Sequence, residues 1–342
     1  MLPQSHRLDR SCACSDHTVP CPPAIAKWLA PASVGKHRSK TVAKKSREST
    51  HSRSLSCSAA MDTRQAEEAG SAIGTSGRGL QYTTYEANAW AAVFSKSGVS
   101  ILVDPWLVEE LIFAGQAWLY RGKKTHIPPL DLNKVVEGVD ALILSQRLPD
   151  HAHVPTLQRL PKDLPIVASP AGAQVAAGLG FRNITALDHG QETTIGGGKL
   201  KIRATAGALV GPPWAKRENG FVFTEQVPDG IRLYYEPHCD YDESSLAGID
   251  SADIVITPCV NQELLNYPLV MGKQNVVGLL KRLRPSVLLP LVNAEFDSEG
   301  PLSKMISEKG SVQELEPQLP QEGLGDVRVL VPEPAKPLTV EL

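Results

Sequence analysis

The chain has 342 residues, of which 42% are hydrophobic and 21% charged, as is typical of a soluble globular protein of one or two domains. Its formal net charge is -2, but residues 1–60 hold ten Lys and Arg residues against three Asp and Glu residues. The rest of the chain is therefore acidic, which argues against nucleic acid and anionic membranes as partners.

The first 60 residues have the composition of a targeting segment. They contain eleven Ser residues and four of the six cysteines, and no apolar run is long enough for a secretory signal or a membrane span. We predict an organellar transit peptide over 1–60, with a disordered tail as the alternative. High Ser and modest Arg content favour the chloroplast over the mitochondrion. Residues 61–79 are rich in Glu, Ala, Gly and Ser and are predicted to be a linker.

The folded domain is predicted to span residues 80–335. It opens with two strands, over 80–95 and 99–103, and the second ends at Asp104, where the following proline breaks regular pairing. Residues 106–130 mix aromatic side chains with a basic tip. We expect this excursion either to shape a pocket or to cover a sheet edge.

Strands and helices then alternate along the chain. Helices are predicted over 132–137, 156–160, 170–179, 244–246 and 273–283. Further strands are predicted over 141–144, 166–168, 184–187, 192–195, 200–205, 220–224, 231–235, 253–257, 286–291 and 327–331. This order suggests two similar halves, each a sheet with covering helices, packed as layers.

Two strand ends carry imidazole and carboxylate side chains together. The strand over 141–144 runs into a loop with Asp150 and His151, and a later strand runs into Glu236 and His238. Nitrogen and oxygen ligands that converge from separate loops are typical of metal sites. The alternative is that Asp150 caps the following helix and that both histidines are hydrogen-bonded loop residues.

The domain resembles the metallo-β-lactamase superfamily, especially its ascorbate-6-phosphate-lactonase-like branch and related plant and algal proteins. Leu102-Val-Asp-Pro105 is similar to the first Asp motif of the family. Ser145-Gln-Arg-Leu-Pro-Asp-His151 stands in the place of its His-x-His-x-Asp-His motif, and Leu233-Tyr-Tyr-Glu-Pro-His-Cys239 in the place of its Gly-Asp-Thr segment. Asn219-Gly220 and the segment 280–290 match later landmarks. The resemblance implies a mixed α/β fold, a four-layer αββα sandwich.

The resemblance also shows which ligands are missing. Gln146 and Leu148 occupy the first two histidine positions of the motif. No histidine lies near Ala208 or near residues 292–293, where the family places its remaining histidine ligands. A two-zinc centre is therefore not expected, because leucine has no lone pair to donate and glutamine is a weak neutral donor.

The remaining candidates define a reduced site. Asp150, His151 and His238 are predicted to hold one divalent metal, either zinc, iron or manganese, or to bind no metal. Asp104 and Glu236 are the predicted catalytic carboxylates, which orient or deprotonate a water molecule. The predicted function is hydrolysis of a small-molecule ester, lactone or phosphoester. The alternative is a metal-free, inactive member that binds a small molecule or a protein, and the oligomeric state stays open.

Overall fold

The computed structural model describes residues 77–342 except 212–213 and 292–296. The predicted transit peptide and nearly all of the predicted linker lie outside these residues. Gly79 is already the first residue of a strand, so the predicted linker reaches one residue into the fold. Within the described part of the chain, no helix has both the length and the apolar character needed to cross a membrane.

Strands dominate the described chain. They are β1 (Gly79–Thr84), β2 (Trp90–Phe94), β3 (Ser100–Val103), β4 (Leu111–Ile112), β5 (Arg121–Lys123), β6 (Ala141–Leu144), β7 (Ile166–Ala168), β8 (Ile184–Ala186), β9 (Glu192–Ile195), β10 (Leu200–Ala206), β11 (Asn219–Glu225), β12 (Arg232–Tyr235), β13 (Ile254–Pro258), β14 (Asn261–Leu264), β15 (Tyr267–Met271), β16 (Val287–Leu291), β17 (Asp297–Glu299), β18 (Ile306–Lys309), β19 (Arg328–Val329) and β20 (Leu338–Glu341). The α-helices are α1 (Leu132–Val136), α2 (Val154–Arg159), α3 (Pro170–Gly178), α4 (Gly272–Leu283) and α5 (Val312–Leu315). Short 3-10 turns occur at Phe113–Gly115, Glu243–Leu246, Ser303–Met305 and Glu316–Gln318.

Two seven-stranded sheets form the centre of the fold. Their orders are β20-β1-β2-β3-β6-β7-β8 and β19-β16-β13-β12-β11-β10-β9. One apolar core joins the facing sides of both sheets, and Trp90 lies within it, with ring centroids 5.2 Å from Tyr235 and 6.2 Å from Phe223. Helices cover the two outer sides through separate apolar clusters. The predicted αββα sandwich is confirmed.

Strand β6 shows how the sequence places the site. All four residues of Ala-Leu-Ile-Leu are buried, Ile143 between the sheets and Leu142 and Leu144 under the helices. A short strand buried on both faces needs this continuous apolar run. Its parallel neighbours β3 and β7 fix its direction, so the loop that follows β6 emerges beside Asp104 at the end of β3.

The predicted single strand over 80–95 is wrong. It is two antiparallel strands, β1 and β2, joined by the loop 85–89, in which Glu86 and Ala87 have φ angles of 60° and 50°. Left-handed backbone is uncommon at residues other than glycine. Residues 85–89 contain no Gly or Pro that would have indicated a turn from the sequence. The partly buried Lys124 side chain holds the loop by donating to the carbonyls of Tyr85 and Glu86.

Sequence patterns also missed seven short strands. Six of them form two three-stranded sheets, β17-β5-β4 and β15-β14-β18, and the seventh is β20. Strand β20 pairs with β1 at the edge of the first large sheet. The domain therefore continues beyond residue 335, the predicted end, to at least Glu341.

Candidate metal centre

Asp104 anchors the site from the end of β3. It is fully buried, with a φ angle of 42° that turns the chain out of the strand. Its Oδ1 accepts the Ser145 backbone N–H at 2.7 Å, and its Oδ2 accepts the Tyr235 hydroxyl at 2.6 Å. Oδ2 also accepts the Ser145 hydroxyl and, at 2.8 Å, the Nδ1–H of His151. A buried carboxylate with this many donors fixes the ring of His151 in one orientation.

The other ring nitrogen of His151 faces the candidate ligands. With Nδ1 directed at Asp104, Nε2 lies 3.4 Å from Asp150 Oδ2 and 3.1 Å from the side-chain nitrogen of Asn88. The Asn88 nitrogen is also 3.3 Å from Asp150 Oδ2. Asn88 was not predicted as a site residue. It reaches the site because the left-handed loop 85–89 carries it there.

His238 enters from the second sheet, in the loop after β12. Glu236 shapes this loop, since its Oε2 accepts the backbone N–H groups of His238 at 3.1 Å and of Asp240 at 2.8 Å. The ring centroid of His238 is 5.2 Å from that of His151. Its Nδ1 lies 2.8 Å from the side-chain nitrogen of Gln146, which stands where the family has a histidine.

The three predicted ligands converge. Asp150, His151 and His238 each offer one ligand atom, and these atoms all lie within 4.8 Å of one another. Bonds of about 2.1 Å to one ion place two ligand atoms at most about 4.2 Å apart, so the widest separation must contract by about 0.6 Å or more. Asp150 Oδ1 and Gln146 Oε1 are buried and have no hydrogen-bond partner among the described residues. This donor set fits one divalent cation.

Two positions at which the family resemblance implies further metal ligands carry apolar side chains. Leu148 lines the cavity beside Asp150, and Ala208 is a buried apolar side chain. Gln146 is engaged with His238. Neither Leu148 nor Ala208 carries a side-chain lone pair, so neither side chain can bind a metal ion.

The buried charges explain the protonation of the two rings. Burial by itself lowers the pKa of His151, but the Asp150 and Asp104 carboxylates outweigh it and raise this pKa to about 10. Burial, with the charge on His151 second, lowers the pKa of His238 to about 4. His151 is therefore the cationic partner of the two carboxylates, and a metal ion bound at its Nε2 would replace a proton.

A cavity of about 440 Å³ opens at these ligands. Asp150, His238 and Asn88 contribute to its wall, and most of the other lining side chains are apolar. The predicted excursion 106–130 shapes the pocket through Leu111, Phe113 and Tyr120. The β14–β15 hairpin adds the apolar side chains Leu264, Tyr267 and Val270.

The two predicted catalytic carboxylates lie behind this wall. Asp104 and Glu236 are both fully buried, and neither lines the cavity. Burial, followed by the nearby Asp240 charge, raises the pKa of Glu236 to about 7. Asp104 contacts the His151 ring, and Glu236 contacts the backbone of the His238 loop.

Comparisons with known proteins agree with this fold. A family model described as a beta-lactamase superfamily domain matches residues 81–292. An isothiocyanate hydrolase from Delia radicum gut bacteria is 22% identical, with a TM-score of 0.56 over 77% of this chain and 100% of its own. A possible metal-dependent hydrolase from Veillonella parvula is 17% identical, with a TM-score of 0.55 over the same shares. A metallo hydrolase from the archaeon Ignicoccus hospitalis is also 17% identical, with a TM-score of 0.52 over 77% and 99%. No curated protein matches the sequence.

Proposed function

This chain belongs to the metallo-β-lactamase superfamily, and from that premise we propose that it is a hydrolase with a single divalent metal held by Asp150, His151 and His238. The observation that carries the proposal is the convergence of these three side chains within 4.8 Å. The substrate is a small molecule with an ester, lactone or phosphoester group, placed in the adjoining cavity. Fold alone does not define an activity, so the proposal depends on the site.

The protein supplies orientation and a dry environment. Asp104 holds His151 with Nε2 turned to the site, and Glu236 holds the backbone on either side of His238. The Asn88 amide lies beside Asp150, where it can donate to an oxygen of the substrate. When bound, a divalent ion there supplies Lewis-acid polarisation of the scissile group and promotes ionisation of water.

Metal content tests the ligand set directly. Purified protein loaded with zinc, iron or manganese is expected to retain about one equivalent, measured by elemental analysis. His151→Ala and His238→Ala should each lower the retained metal at least about tenfold, because each removes one of three protein ligands. His189→Ala is the matched control, since His189 bonds the Glu218 carbonyl outside the candidate site.

Thermal melting of each variant separates ligand loss from unfolding. Retention of less than about a tenth of an equivalent by the wild type would end the single-metal proposal. A folded His151→Ala variant that retains as much metal as the wild type would also contradict the single-metal proposal. Turnover of ester, lactone and phosphoester panels by the loaded wild type, lost in His151→Ala, then tests hydrolysis itself.

A metal-free binding protein is the second candidate. The position of Asn88 favours it, because the amide lies 3.1 Å from His151 Nε2 and so fills the place of a metal at that nitrogen. This candidate predicts that a chelator changes neither the melting temperature nor ligand binding, since nothing linked to the native state is removed. The single-metal proposal predicts the opposite. A tightly bound ion at a thousandfold excess over its Kd contributes about 4 kcal/mol, so chelation should lower the melting temperature by several degrees.

A further inference from the structure

The cavity beside the candidate metal centre has a chemical character of its own. Its volume of about 440 Å³ is in the range of small-molecule sites. Three separate parts of the chain contribute apolar side chains to the wall. They include Phe113 and Tyr120, Leu264 and Tyr267, and Leu302 and Ile306. Such walls favour the binding of apolar ligand groups, which contribute about 0.8 kcal/mol of binding free energy for each buried methylene.

Among the described residues, the cavity wall offers an anionic ligand few partners. Among the described residues that line it, none is Lys or Arg, and Asp150 contributes a carboxylate. Recognition of phosphate and carboxylate groups normally uses Arg, Lys or clustered backbone N–H groups. Two nearby cations are engaged elsewhere: Lys124 donates to backbone carbonyls, and Arg217 is paired with Asp240 at 2.5 Å.

Three polar side chains of the wall belong to the candidate metal centre, and a fourth, Gln262, donates to Glu308 on strand β18. Asn88 and Asp150 are in hydrogen-bond contact, and His238 is a member of the same ligand set as Asp150. A ligand with one polar group and an apolar remainder matches this arrangement, because its polar end meets these side chains while its chain contacts the apolar walls.

We infer that the substrate is a neutral, largely apolar carboxylic ester or lactone, and that phosphorylated and carboxylated molecules bind more weakly. This inference rests on the proposed hydrolase function for its reaction. The reaction adds water across the acyl C–O bond, which breaks to give a carboxylic acid and an alcohol. The neutral substrate thus becomes an anionic product, for which the described lining residues offer no Lys or Arg partner.

Binding and turnover are measured separately to test it. Displacement of the neutral fluorescent probe N-phenyl-1-naphthylamine by 2-alkanones reports on binding without any reaction. Each added methylene should tighten binding about fourfold until the cavity is full. Alkanoates of equal length, and phenyl phosphate, should bind at least tenfold more weakly. In the turnover assay, KM for 1-naphthyl acetate, butyrate and hexanoate should fall in the same order.

A charge variant gives an internal check. Phe113→Arg adds a cation to the cavity wall and should tighten alkanoate binding while it weakens 2-alkanone binding. Trp118→Arg is the matched control, because Trp118 lies in the same excursion, is 69% exposed and does not line the cavity. If Phe113→Arg fails to fold, the relative affinities of the wild type for 2-alkanones and for alkanoates of equal length still test the inference.

The outcomes separate the two proposals. Chain-length-dependent binding of neutral ligands without turnover would support the apolar cavity and contradict the hydrolase proposal. Turnover in which phosphorylated or carboxylated esters match the neutral ones would support the hydrolase and overturn the inference. Failure of every 2-alkanone to displace the probe would also overturn it.

Discussion

Asp104→Ala is expected to lower the free energy of unfolding by about 3–5 kcal/mol. The substitution leaves the Ser145 N–H and hydroxyl, the Tyr235 hydroxyl and the His151 ring buried without their common acceptor. Each unpaired buried donor costs about 1–3 kcal/mol, partly relieved by relaxation. Urea denaturation at neutral pH measures the loss.

Asp104→Asn tests the positioning role with less damage to the fold. The amide keeps one acceptor oxygen for Ser145 but places an NH₂ group where His151 Nδ1–H now donates. The histidine then favours the tautomer with its proton on Nε2, so metal affinity should fall about 10–100-fold. Asp140→Asn is the control, because Asp140 accepts the Ser100 N–H at 2.8 Å, outside the ligand set. Wild-type affinity in Asp104→Asn would show that Asp104 does not orient the ligand.

Lys124→Met is expected to destabilise the protein by about 3 kcal/mol. Lys124 donates to the carbonyls of Tyr85, Glu86 and Trp106 and lies 4.6 Å from the Trp106 ring centroid. Without it the loop 85–89 loses its support, and Asn88 should leave its contacts with Asp150 and His151. Lys123→Met is a close control, since the neighbouring Lys123 side chain is exposed.

The same variant has a pH signature. Burial lowers the pKa of Lys124 to about 7, against the smaller opposing effect of Glu86, while the unfolded chain keeps a value near 10.5. Between these values the unfolded state binds more protons, so the stability contributed by Lys124 rises with pH. The difference in unfolding free energy between wild type and Lys124→Met should grow by about 1–2 kcal/mol from pH 7 to pH 9. A difference independent of pH would contradict the lowered pKa.

The sequence predicted those parts of the fold whose signal is local. The apolar run of β6 and the helical periodicity of α4 identified both elements, and imidazole and carboxylate side chains at strand ends indicated His151 and His238. Two strands that each end in such residues predicted a shared site because strand ends meet at one edge of the sandwich. The structure brings these side chains together with Asp150.

The structural features that sequence reasoning missed depend on contacts between residues that are far apart along the chain. Strands β5 and β17 contain Arg, Lys, Asp and Glu, and they are strands because β5 pairs with both β4 and β17. Asn88 has no motif of its own, since its place is set by a left-handed loop and by Lys124. The surroundings of Asp104 likewise include Tyr235 from the opposite sheet, a contact that no local pattern encodes.

The pairing of β20 with β1 matters for anyone who wishes to produce this protein. Gly79 through Tyr82 bond to the last strand along four residue pairs, and Val340 is buried at the core. A chain shortened to residue 335 would expose the backbone of β1 as a free sheet edge, the usual template for aggregation. An affinity tag joined directly after Leu342 would sit against that edge. A flexible spacer before such a tag, or a tag placed ahead of residue 77, keeps β20 paired with β1.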